Sequence, residues 1–260
     1  MSKVYNFFLD IDGTLLAAGK KSITEQTQTA FEFARSKGSK IFINTGRTRA
    51  YVPYGLRTLE CIDGLCCGCG TYVEYNGKTV FEHYISTEQL IKIADEFQKL
   101  QLDRDLIFEG YERNYYLGPG GAWHEANGFI PISGSEYFKN IGFEPKVHKF
   151  STHTQSEKRD EFFKKIEDEF FTMHFPTYSE TVPIGYDKGR AMKIAEELLG
   201  LDPSLSVAVG DSMNDAAMLQ YAATSVAMGN ATDEVKAMCD LVTDTVDNDG
   251  VAKIIYQLMK

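Results

Sequence analysis

The 260-residue sequence contains no long apolar run. No stretch approaches the roughly 20 apolar residues that a helix needs to cross a bilayer, which argues against a membrane-spanning segment. A signal-peptide layout is also missing, because Met1-Ser2-Lys3-Val4 leads directly into a predicted strand. These absences predict a cytoplasmic protein without a membrane partner.

Basic residues are in the minority. The chain has 27 Lys and Arg against 37 Asp and Glu, which gives a formal net charge of −10 and a pI near 5.1. Proteins that bind nucleic acids usually present a basic face, so this balance argues against a nucleic-acid partner. Any anionic ligand would have to be held by local groups rather than by the overall charge.

Cysteines are few and odd in number, and three of the five fall in Cys66-Cys67-Gly68-Cys69. Without a secretion signal, this count predicts reduced thiols. A structural zinc site takes four ligands, usually from paired spacings on loops. Neighbouring thiols on an extended segment point to opposite faces. The cluster therefore favours small buried side chains in a strand over a zinc site.

Three apolar runs end abruptly in polar residues. Residues 4–9, 40–44 and 206–209 lead into Asp10-Ile11-Asp12-Gly13-Thr14, Thr45-Gly46-Arg47 and Gly210-Asp211-Ser212-Met213-Asn214-Asp215. Short apolar runs bounded by turn residues are typical of buried strands in a parallel sheet. Because ligands of open parallel sheets bind outside the carboxyl ends of the strands, we expect the three polar segments to meet there.

The order of the predicted elements indicates two domains. A capping box at Ser22–Glu25 predicts the first helix, and further helices are expected over 49–59 and 157–171. The middle third follows a β, α, β, β, α, β pattern, and α/β alternation returns at Tyr186. We therefore expect one sheet built from residues 1–84 and 186–260, and an inserted α+β domain over residues 85–185.

The two carboxylates Asp10 and Asp12 stand where a strand becomes a loop. Asp10 can act as a carboxylate nucleophile, and Asp12 can protonate the leaving group and later activate water. Asp211 and Asp215 should reach the same edge of the sheet. Four carboxylates repel a phosphate, so the site needs cations, and hard oxygen ligands suit Mg²⁺. Lys188, at the start of a predicted helix, supplies a second positive charge.

Four other residues offer groups to a phosphate or its substrate. Thr45 and Gly46 present a hydroxyl and backbone N–H donors. Arg47 either reaches the substrate or braces its loop. Asn214 either donates to a phosphate oxygen or caps the helix near Asp215, and both roles are compatible.

Asp10-Ile11-Asp12-Gly13-Thr14-Leu15, Thr45-Gly46-Arg47, Asp187-Lys188-Gly189 and Gly210–Asp215 resemble the four motifs of the haloacid dehalogenase superfamily, in its order and spacing. The insert resembles the α/β cap of the Cof-type phosphatases. The resemblance implies an α/β fold, with a Rossmann-like three-layer core around a parallel sheet and an inserted α+β cap. One departure is Cys69-Gly70, where many relatives carry Asn-Gly that contacts the substrate.

The resemblance also implies roles for these residues. Asp10 would be the nucleophile and a magnesium ligand, and Asp12 the acid and base that ligates magnesium through its backbone carbonyl. Asp211 would be a further ligand, with Asp215 supporting the metal. The phosphate-binding residues would be the Ile11 backbone, Thr45, Gly46, Lys188 and Asn214.

The function expected from these residues is Mg²⁺-dependent hydrolysis of phosphomonoesters of small metabolites, through a phospho-aspartate on Asp10. Sugar phosphates are the substrates that the resemblance implies. A sugar phosphomutase would need clustered arginines in the inserted domain, where Arg104, Arg113 and Arg159 are scattered. A non-enzymatic phosphate-binding protein could lack a key carboxylate, and none is missing. Candidates for a leaving-group pocket are Glu109, Arg113, Tyr115, Trp123, His124 and His174.

Overall fold

The structure, a computed structural model, describes residues 3–154 and 156–260. The chain forms two compact units. The first comprises Met1–Arg47, Tyr51–Glu82 and Asp187–Lys260, and the second comprises Thr48–Ala50 and His83–Tyr186. No helix in the described part of the chain has both the length and the apolar character that crossing a membrane requires.

Strands and helices are numbered in chain order. The strands are β1 (Asn6–Leu9), β2 (Lys40–Asn44), β3 (Gly64–Cys67), β4 (Tyr72–Tyr75), β5 (Lys78–Glu82), β6 (Leu106–Gly110), β7 (Asn114–Leu117), β8 (Ile130–Pro131), β9 (Val147–Thr152), β10 (Phe170–His174), β11 (Ser179–Pro183), β12 (Ser206–Gly210), β13 (Thr224–Ala227) and β14 (Leu241–Val242). The helices are α1 (Glu25–Ser36), α2 (Tyr54–Arg57), α3 (Thr87–Leu100), α4 (Ala122–Ala126), α5 (Ser135–Asn140), α6 (Arg159–Lys164), α7 (Lys188–Leu199), α8 (Ala216–Tyr221), α9 (Asp233–Ala237) and α10 (Gly250–Leu258).

The first unit is built on an eight-stranded sheet in the order β14-β13-β12-β1-β2-β3-β4-β5. The strands from β14 to β3 run parallel, and β4 and β5 add an antiparallel edge. All four residues of β1 are buried, as expected for a strand covered on both faces. Helix α1 packs with α10 and α7 packs with α8. The predicted α/β fold around a parallel sheet is confirmed.

Two local predictions for the first 60 residues were wrong. Thr24, not Ser22, caps α1, because its extended backbone lets its hydroxyl accept the N–H of Thr27. The single helix expected over 49–59 is a short 3₁₀ turn at Arg49–Tyr51 followed by α2. Pro53 stands between them, and a residue without an N–H cannot continue a helix through its interior.

The second unit contains a six-stranded sheet in the order β10-β11-β9-β6-β7-β8, antiparallel except for the pair of β7 and β8. Its core is strongly aromatic, with Phe108, Phe138 and Phe150 all but fully buried. Helix α3 begins at a capping box, in which Ser86 and Gln89 exchange hydrogen bonds.

The helix expected over residues 157–171 was wrong in its second half. Helix α6 ends at Lys164, and Phe170 opens β10, where it pairs with Pro183 of β11. Most of the apolar stripe that indicated a longer helix is still buried, because Phe162, Ile166 and Phe170 pack into the core of the unit, whereas Phe171 is exposed. Pairing with a strand later in the chain decided the conformation of residues 170–174.

Candidate active site

The three predicted polar segments come together at the carboxyl ends of the parallel strands in the first unit's sheet. Strand β1 lies between β12 and β2 and is parallel to both. Asp10 follows the carboxyl end of β1, Thr45 follows that of β2, and Asp211 follows that of β12, so the three residues lie on the same side of the sheet. Parallel sheets bind their ligands outside the carboxyl ends of the strands.

Lys188 connects two of the carboxylates. Its side chain is 1% exposed, and its Nζ lies 2.7 Å from Asp10 Oδ1 and 2.6 Å from Asp215 Oδ1. A longer contact of 3.4 Å reaches Asn214 Oδ1. Lys188 is the first residue of α7, whose N-cap Asp187 accepts the backbone N–H of Arg190. The Asp187 cap fixes where α7 begins, and this start of the helix positions the Lys188 ammonium group.

Burial and neighbouring charge set the protonation states of this pair. The pKa of Asp10 is raised to about 7, mainly by burial. The Lys188 ammonium opposes this rise, and the Asp215 carboxylate adds to it. Burial by itself would lower the pKa of Lys188, but Asp10 and Asp215 more than offset it, and the pKa lies above its ordinary value. The ammonium therefore stays charged between two acidic groups.

Asp10, Asp211 and Asp215 form a cluster whose ligand oxygens all lie within 4.8 Å of one another. Burial raises the pKa of Asp211 to about 6, the Asp215 carboxylate adds to the rise, and the Thr14 hydroxyl at 3.2 Å lowers it. Three hard oxygen donors at this spacing fit a small divalent cation such as Mg²⁺. Asp215 is further held by the backbone N–H groups of Asp211 and Ser212, which donate to its Oδ2.

Within the part of the chain that the structure describes, the carboxylate cluster does not include Asp12. Its side chain is 61% exposed and forms a two-pronged pair with Arg47, with Nη2 2.6 Å from Oδ1 and Nε 2.8 Å from Oδ2. Arg47 also donates to the Tyr51 backbone carbonyl at 3.0 Å. Of the two uses considered for Arg47, the structure shows the bracing contact.

The remaining predicted phosphate ligands surround the strand ends. Thr45 is buried, and its Oγ1 accepts the backbone N–H of Arg47 at 3.2 Å. Gly46 is half-buried and Ile11 is fully buried. Asn214 lies in a 3₁₀ turn at Met213–Asp215, where the Ser212 hydroxyl donates to its Oδ1 at 2.7 Å.

A glycine at position 13 is required by the space around Asp211. A Cβ there would stand 2.3 Å from Asp211 Oδ2, and the backbone has a φ of +80°. Both facts exclude a larger residue unless Asp211 moves. Gly13 thus lets the loop after β1 approach the carboxylate that follows β12.

Two asparagines that the sequence reasoning did not assign to the site support it. Asn44, the last residue of β2, is fully buried and donates from Nδ2 to the Lys188 backbone carbonyl at 2.8 Å. Asn230 donates to the Gly13 carbonyl at 2.8 Å. The signal for Asn44 was an amide ending an otherwise apolar strand, since buried polar groups need partners. No local pattern marked Asn230.

The cysteine cluster matches the interpretation as buried side chains. Cys66 and Cys67 lie in β3, and all three thiols are buried. Cys69 follows the strand in a left-handed conformation with φ 53° and ψ 42°. Asn adopts this left-handed region more readily than Cys.

Comparison with known proteins agrees with this geometry. The family model described as haloacid dehalogenase-like hydrolase matches residues 7–255. The pyridoxal phosphate phosphatase YbhA of Escherichia coli is 30% identical, with 95% of this chain and 96% of that protein covered. The 5-amino-6-(5-phospho-D-ribitylamino)uracil phosphatase YcsE of Bacillus subtilis is also 30% identical, over 95% of this chain and 92% of that protein.

A solved structure shares the fold as well. The structure of the HAD subclass IIB sugar phosphatase BT4131 superposes with a TM-score of 0.82 at 26% identity and covers 98% of both chains. The match extends over both units rather than over the first alone. The chain therefore belongs to the haloacid dehalogenase-like hydrolases and is an enzyme of the phosphatase type.

Proposed function

We propose that this enzyme hydrolyses phosphomonoesters of small metabolites, with Mg²⁺ as cofactor and a phospho-aspartate on Asp10 as intermediate. The observation that carries the proposal is the position of Asp10 at the end of β1, 2.7 Å from the Lys188 ammonium and within 4.8 Å of the other two carboxylates of the cluster. The carboxyl ends of these neighbouring strands thereby hold a nucleophile, a fixed positive charge and a set of metal ligands.

The residues that would hold Mg²⁺ are Asp10, Asp211 and Asp215, together with the backbone carbonyl of Asp12. Bound there, the ion would lower the pKa values of the acidic cluster, neutralise charge on the phosphoryl oxygens and orient the ester. The all-oxygen donor set supports this choice over zinc, which prefers nitrogen and sulfur ligands.

The chain's own residues would carry the two chemical steps. A carboxylate oxygen of Asp10 attacks phosphorus, the bond from phosphorus to the ester oxygen breaks, and Asp12 gives that oxygen a proton. In the second step Asp12 takes a proton from water and the water oxygen attacks phosphorus. The bond between phosphorus and the Asp10 oxygen then breaks, which releases phosphate and regenerates the Asp10 carboxylate. Lys188, Thr45, Gly46, Asn214 and the Ile11 backbone would hold the phosphoryl oxygens through both steps.

The names of the relatives support the proposed substrate class. Two of them are named for phosphorylated small molecules, and the structural neighbour BT4131 is named as a sugar phosphatase. We extend this to a small phosphorylated metabolite for the present chain, with sugar phosphates first. We assign the choice of leaving group to the inserted domain over residues 85–185, and Arg47 to the rim of the site.

The test is phosphate release from an aryl phosphate and a panel of phosphorylated metabolites, with Mg²⁺ and then with a chelator. We expect release only with metal, and a loss of at least about 10³-fold in Asp10→Asn. Asp233→Asn, an exposed carboxylate in the first turn of α9, is the matched control and should keep full activity. Rapid acid quench and intact-mass measurement should find the phosphoryl group on wild type and not on Asp10→Asn.

Three results would contradict the proposal. Interconversion of sugar 1- and 6-phosphates without net phosphate release would point to a mutase. Full turnover in chelator would remove the metal from the mechanism. Normal turnover by Asp10→Asn would remove the covalent step.

A further inference from the structure

The guanidinium of Arg47 holds both oxygens of the Asp12 carboxylate. Nη2 donates to Oδ1 at 2.6 Å and Nε donates to Oδ2 at 2.8 Å, so the two planar groups meet through two hydrogen bonds. A carboxylate held through both oxygens cannot rotate about its terminal bond without breaking one of them. The orientation of the Asp12 side chain is therefore set by a residue 35 positions away in the chain.

Arg47 is itself anchored at three other points in the first unit. Its Nη1 donates to the Tyr51 carbonyl at 3.0 Å. Its backbone N–H donates to Thr45 Oγ1 at 3.2 Å, and its backbone carbonyl accepts the Gly68 N–H at 2.8 Å. A long side chain that is anchored at its head and at its backbone has already lost most of its rotamer freedom, so it can fix a partner at little further cost in entropy.

The backbone of Asp12 is held independently of its side chain. The Ile11 carbonyl accepts the N–H groups of Leu15 at 3.0 Å and of Leu16 at 2.8 Å, and Asp12 forms a β-bridge with Leu16. This turn fixes the Cα of Asp12 beside the end of β1. Backbone hydrogen bonds do not choose among the staggered rotamers of an exposed aspartate, so the direction of the carboxylate depends on the contact with Arg47.

Stability gives a poor account of this pair. The side chain of Arg47 is 35% exposed and that of Asp12 is 61% exposed, and ion pairs in such surroundings contribute little to folding because water and salt screen them. Catalysis gives a better account. In the proposed reaction Asp12 gives a proton to the ester oxygen and later takes one from water, and both transfers require defined geometry at the reacting atoms.

The charges around Arg47 connect it to the carboxylates of the site. The hydrogen bond with Asp12 raises the pKa of Arg47, burial opposes this rise, and the charges of Asp12 and Asp10 add to it. Burial and the Asp215 carboxylate raise the pKa of Asp211, and the Asp12 carboxylate adds a smaller rise. Asp12 is thus close enough to the cluster to be repelled by it, and the guanidinium offsets that repulsion.

We propose that Arg47 is the positioning residue of Asp12, an inference that rests on the proposed phosphatase function. A carboxylate has about four lone-pair sites, and the guanidinium uses two of them, so the others remain available to a proton. Arg47 transfers no proton and forms no bond to phosphorus, and it acts only through Asp12. The need for Arg47 should therefore grow with the need of the leaving group for a proton.

The test compares two esters that differ in this need. 4-Nitrophenol leaves as a stable anion, whereas 2-phenylethanol leaves only as it gains a proton, and kcat/KM reports the steps up to that departure. Arg47→Met should lower kcat/KM about 100-fold for 2-phenylethyl phosphate and less than about 5-fold for 4-nitrophenyl phosphate. Arg47→Lys should recover little of the loss, because an ammonium group cannot form the two-pronged pair.

A double variant shows whether Arg47 acts through Asp12. In the Asp12→Asn background, Arg47→Met should change kcat/KM for 2-phenylethyl phosphate by less than about 2-fold, because the group that it positions can no longer transfer a proton. A direct contact between Arg47 and the substrate would instead raise KM for both esters and would persist in Asp12→Asn.

The second step gives a readout that does not depend on the leaving group. With 4-nitrophenyl phosphate, the first step should proceed in Arg47→Met nearly as in wild type, while the misplaced Asp12 carboxylate activates water poorly. The phosphoryl group should therefore persist on Asp10. Rapid acid quench and intact-mass measurement should find a larger phosphorylated fraction at steady state in Arg47→Met than in wild type.

Arg35→Met is the matched control. Arg35 is 36% exposed, its Nε lies 3.2 Å from both carboxylate oxygens of Asp63, and its Nη1 donates to the Glu60 carbonyl at 2.6 Å. The arrangement repeats that of Arg47, but Asp63 is buried and has no place in the proposed chemistry. Arg35→Met should lower the thermal midpoint of unfolding and leave the ratio of the two kcat/KM values unchanged. Arg47→Met should shift the midpoint by less than about 4 °C.

Three results would overturn the positioning role and leave the phosphatase function in place. They are equal losses for the two esters in Arg47→Met, a loss that persists in the Asp12→Asn background, and faster turnover of 2-phenylethyl phosphate in Arg47→Met. If wild type releases phosphate from neither ester, the phosphatase proposal fails and this inference fails with it. The wild-type measurement therefore distinguishes the two kinds of failure.

Discussion

Lys188 Nζ lies 2.7 Å from Asp10 Oδ1 although the two residues are 178 positions apart in the chain. The same ammonium lies 2.6 Å from Asp215 Oδ1, so one cation serves two buried carboxylates. In the metal-free protein, removing it would leave both buried carboxylates without a countercharge. The stability and the activity of the enzyme should therefore depend on the same side chain.

The first prediction concerns this lysine. Lys188→Met should lower the free energy of unfolding by about 3–5 kcal/mol, because it leaves buried charge unpaired. Phosphate release should be lost. Urea denaturation and the aryl phosphate assay measure the two effects.

The matched control for Lys188 is Lys193→Met on the same helix. Its Nζ is 3.8 Å from Glu197 and its side chain is 48% exposed, so the change should cost less than about 0.5 kcal/mol. Similar stability losses in the two variants would contradict the assigned role of Lys188.

The second prediction concerns Asn44, which positions Lys188 by donating to its backbone carbonyl. Asn44→Ala should lower kcat about 10- to 100-fold with little change in KM, because a small displacement of the ammonium misaligns it with Asp10. Steady-state kinetics on folded protein give this split.

Asn6→Ala is the control for Asn44. Asn6 is also a buried strand asparagine, and it donates to the Asp202 carbonyl at 3.4 Å. We expect a comparable loss of stability in both variants and unchanged kcat in Asn6→Ala alone. If both variants lost kcat equally, Asn44 would be a structural residue only.

The third prediction separates backbone strain from crowding at Gly13. Gly13→Ala and Gly19→Ala both place alanine at a positive φ, +80° and +77°, so each should cost about 1–2 kcal/mol of stability. Only at position 13 does the added Cβ meet Asp211, at 2.3 Å from Oδ2; at Gly19 no described residue lies within 4 Å.

Activity should therefore distinguish the two glycine variants. Gly13→Ala should lose at least about 100-fold in turnover by displacing Asp211, and Gly19→Ala should retain it. Retained turnover in Gly13→Ala would show that Asp211 can move without consequence, against its proposed place in the metal site.

The fourth prediction is a pH dependence of stability at Asp244. Its hydrogen bond with Lys253 at 2.6 Å, followed by that from the Thr245 N–H, lowers the pKa of Asp244 to about 2. A carboxylate with a lowered pKa stabilises the folded state above the unfolded pKa of about 4, and this contribution is lost as the pH falls towards 2.

Urea denaturation between pH 2 and pH 7 measures that contribution. Wild type should exceed Asp244→Asn in free energy of unfolding by a constant amount above pH 5, and the difference should shrink below pH 4. Lys253→Met should largely remove the pH-dependent part, because it takes away the main partner of the carboxylate. A difference that stays constant down to pH 2 would contradict the lowered pKa.

Residues at the strand ends were predictable because two local signals coincide there. Asp10 and Asp211 each follow a short apolar run, and the run identifies the strand whose end they occupy. The helix expected over residues 157–171 failed because no local pattern contains the pairing of Phe170 with Pro183.

The sequence by itself determined the parallel sheet, the polar segments at its edge and the family to which they point, since apolar periodicity and turn residues act over a few neighbours. Only the tertiary structure decided which partners these side chains take. It joined Lys188 to Asp10 and Asp215, and it turned Asp12 to Arg47. Such partners depend on the order of the strands and the placement of helices, which local spacing does not record.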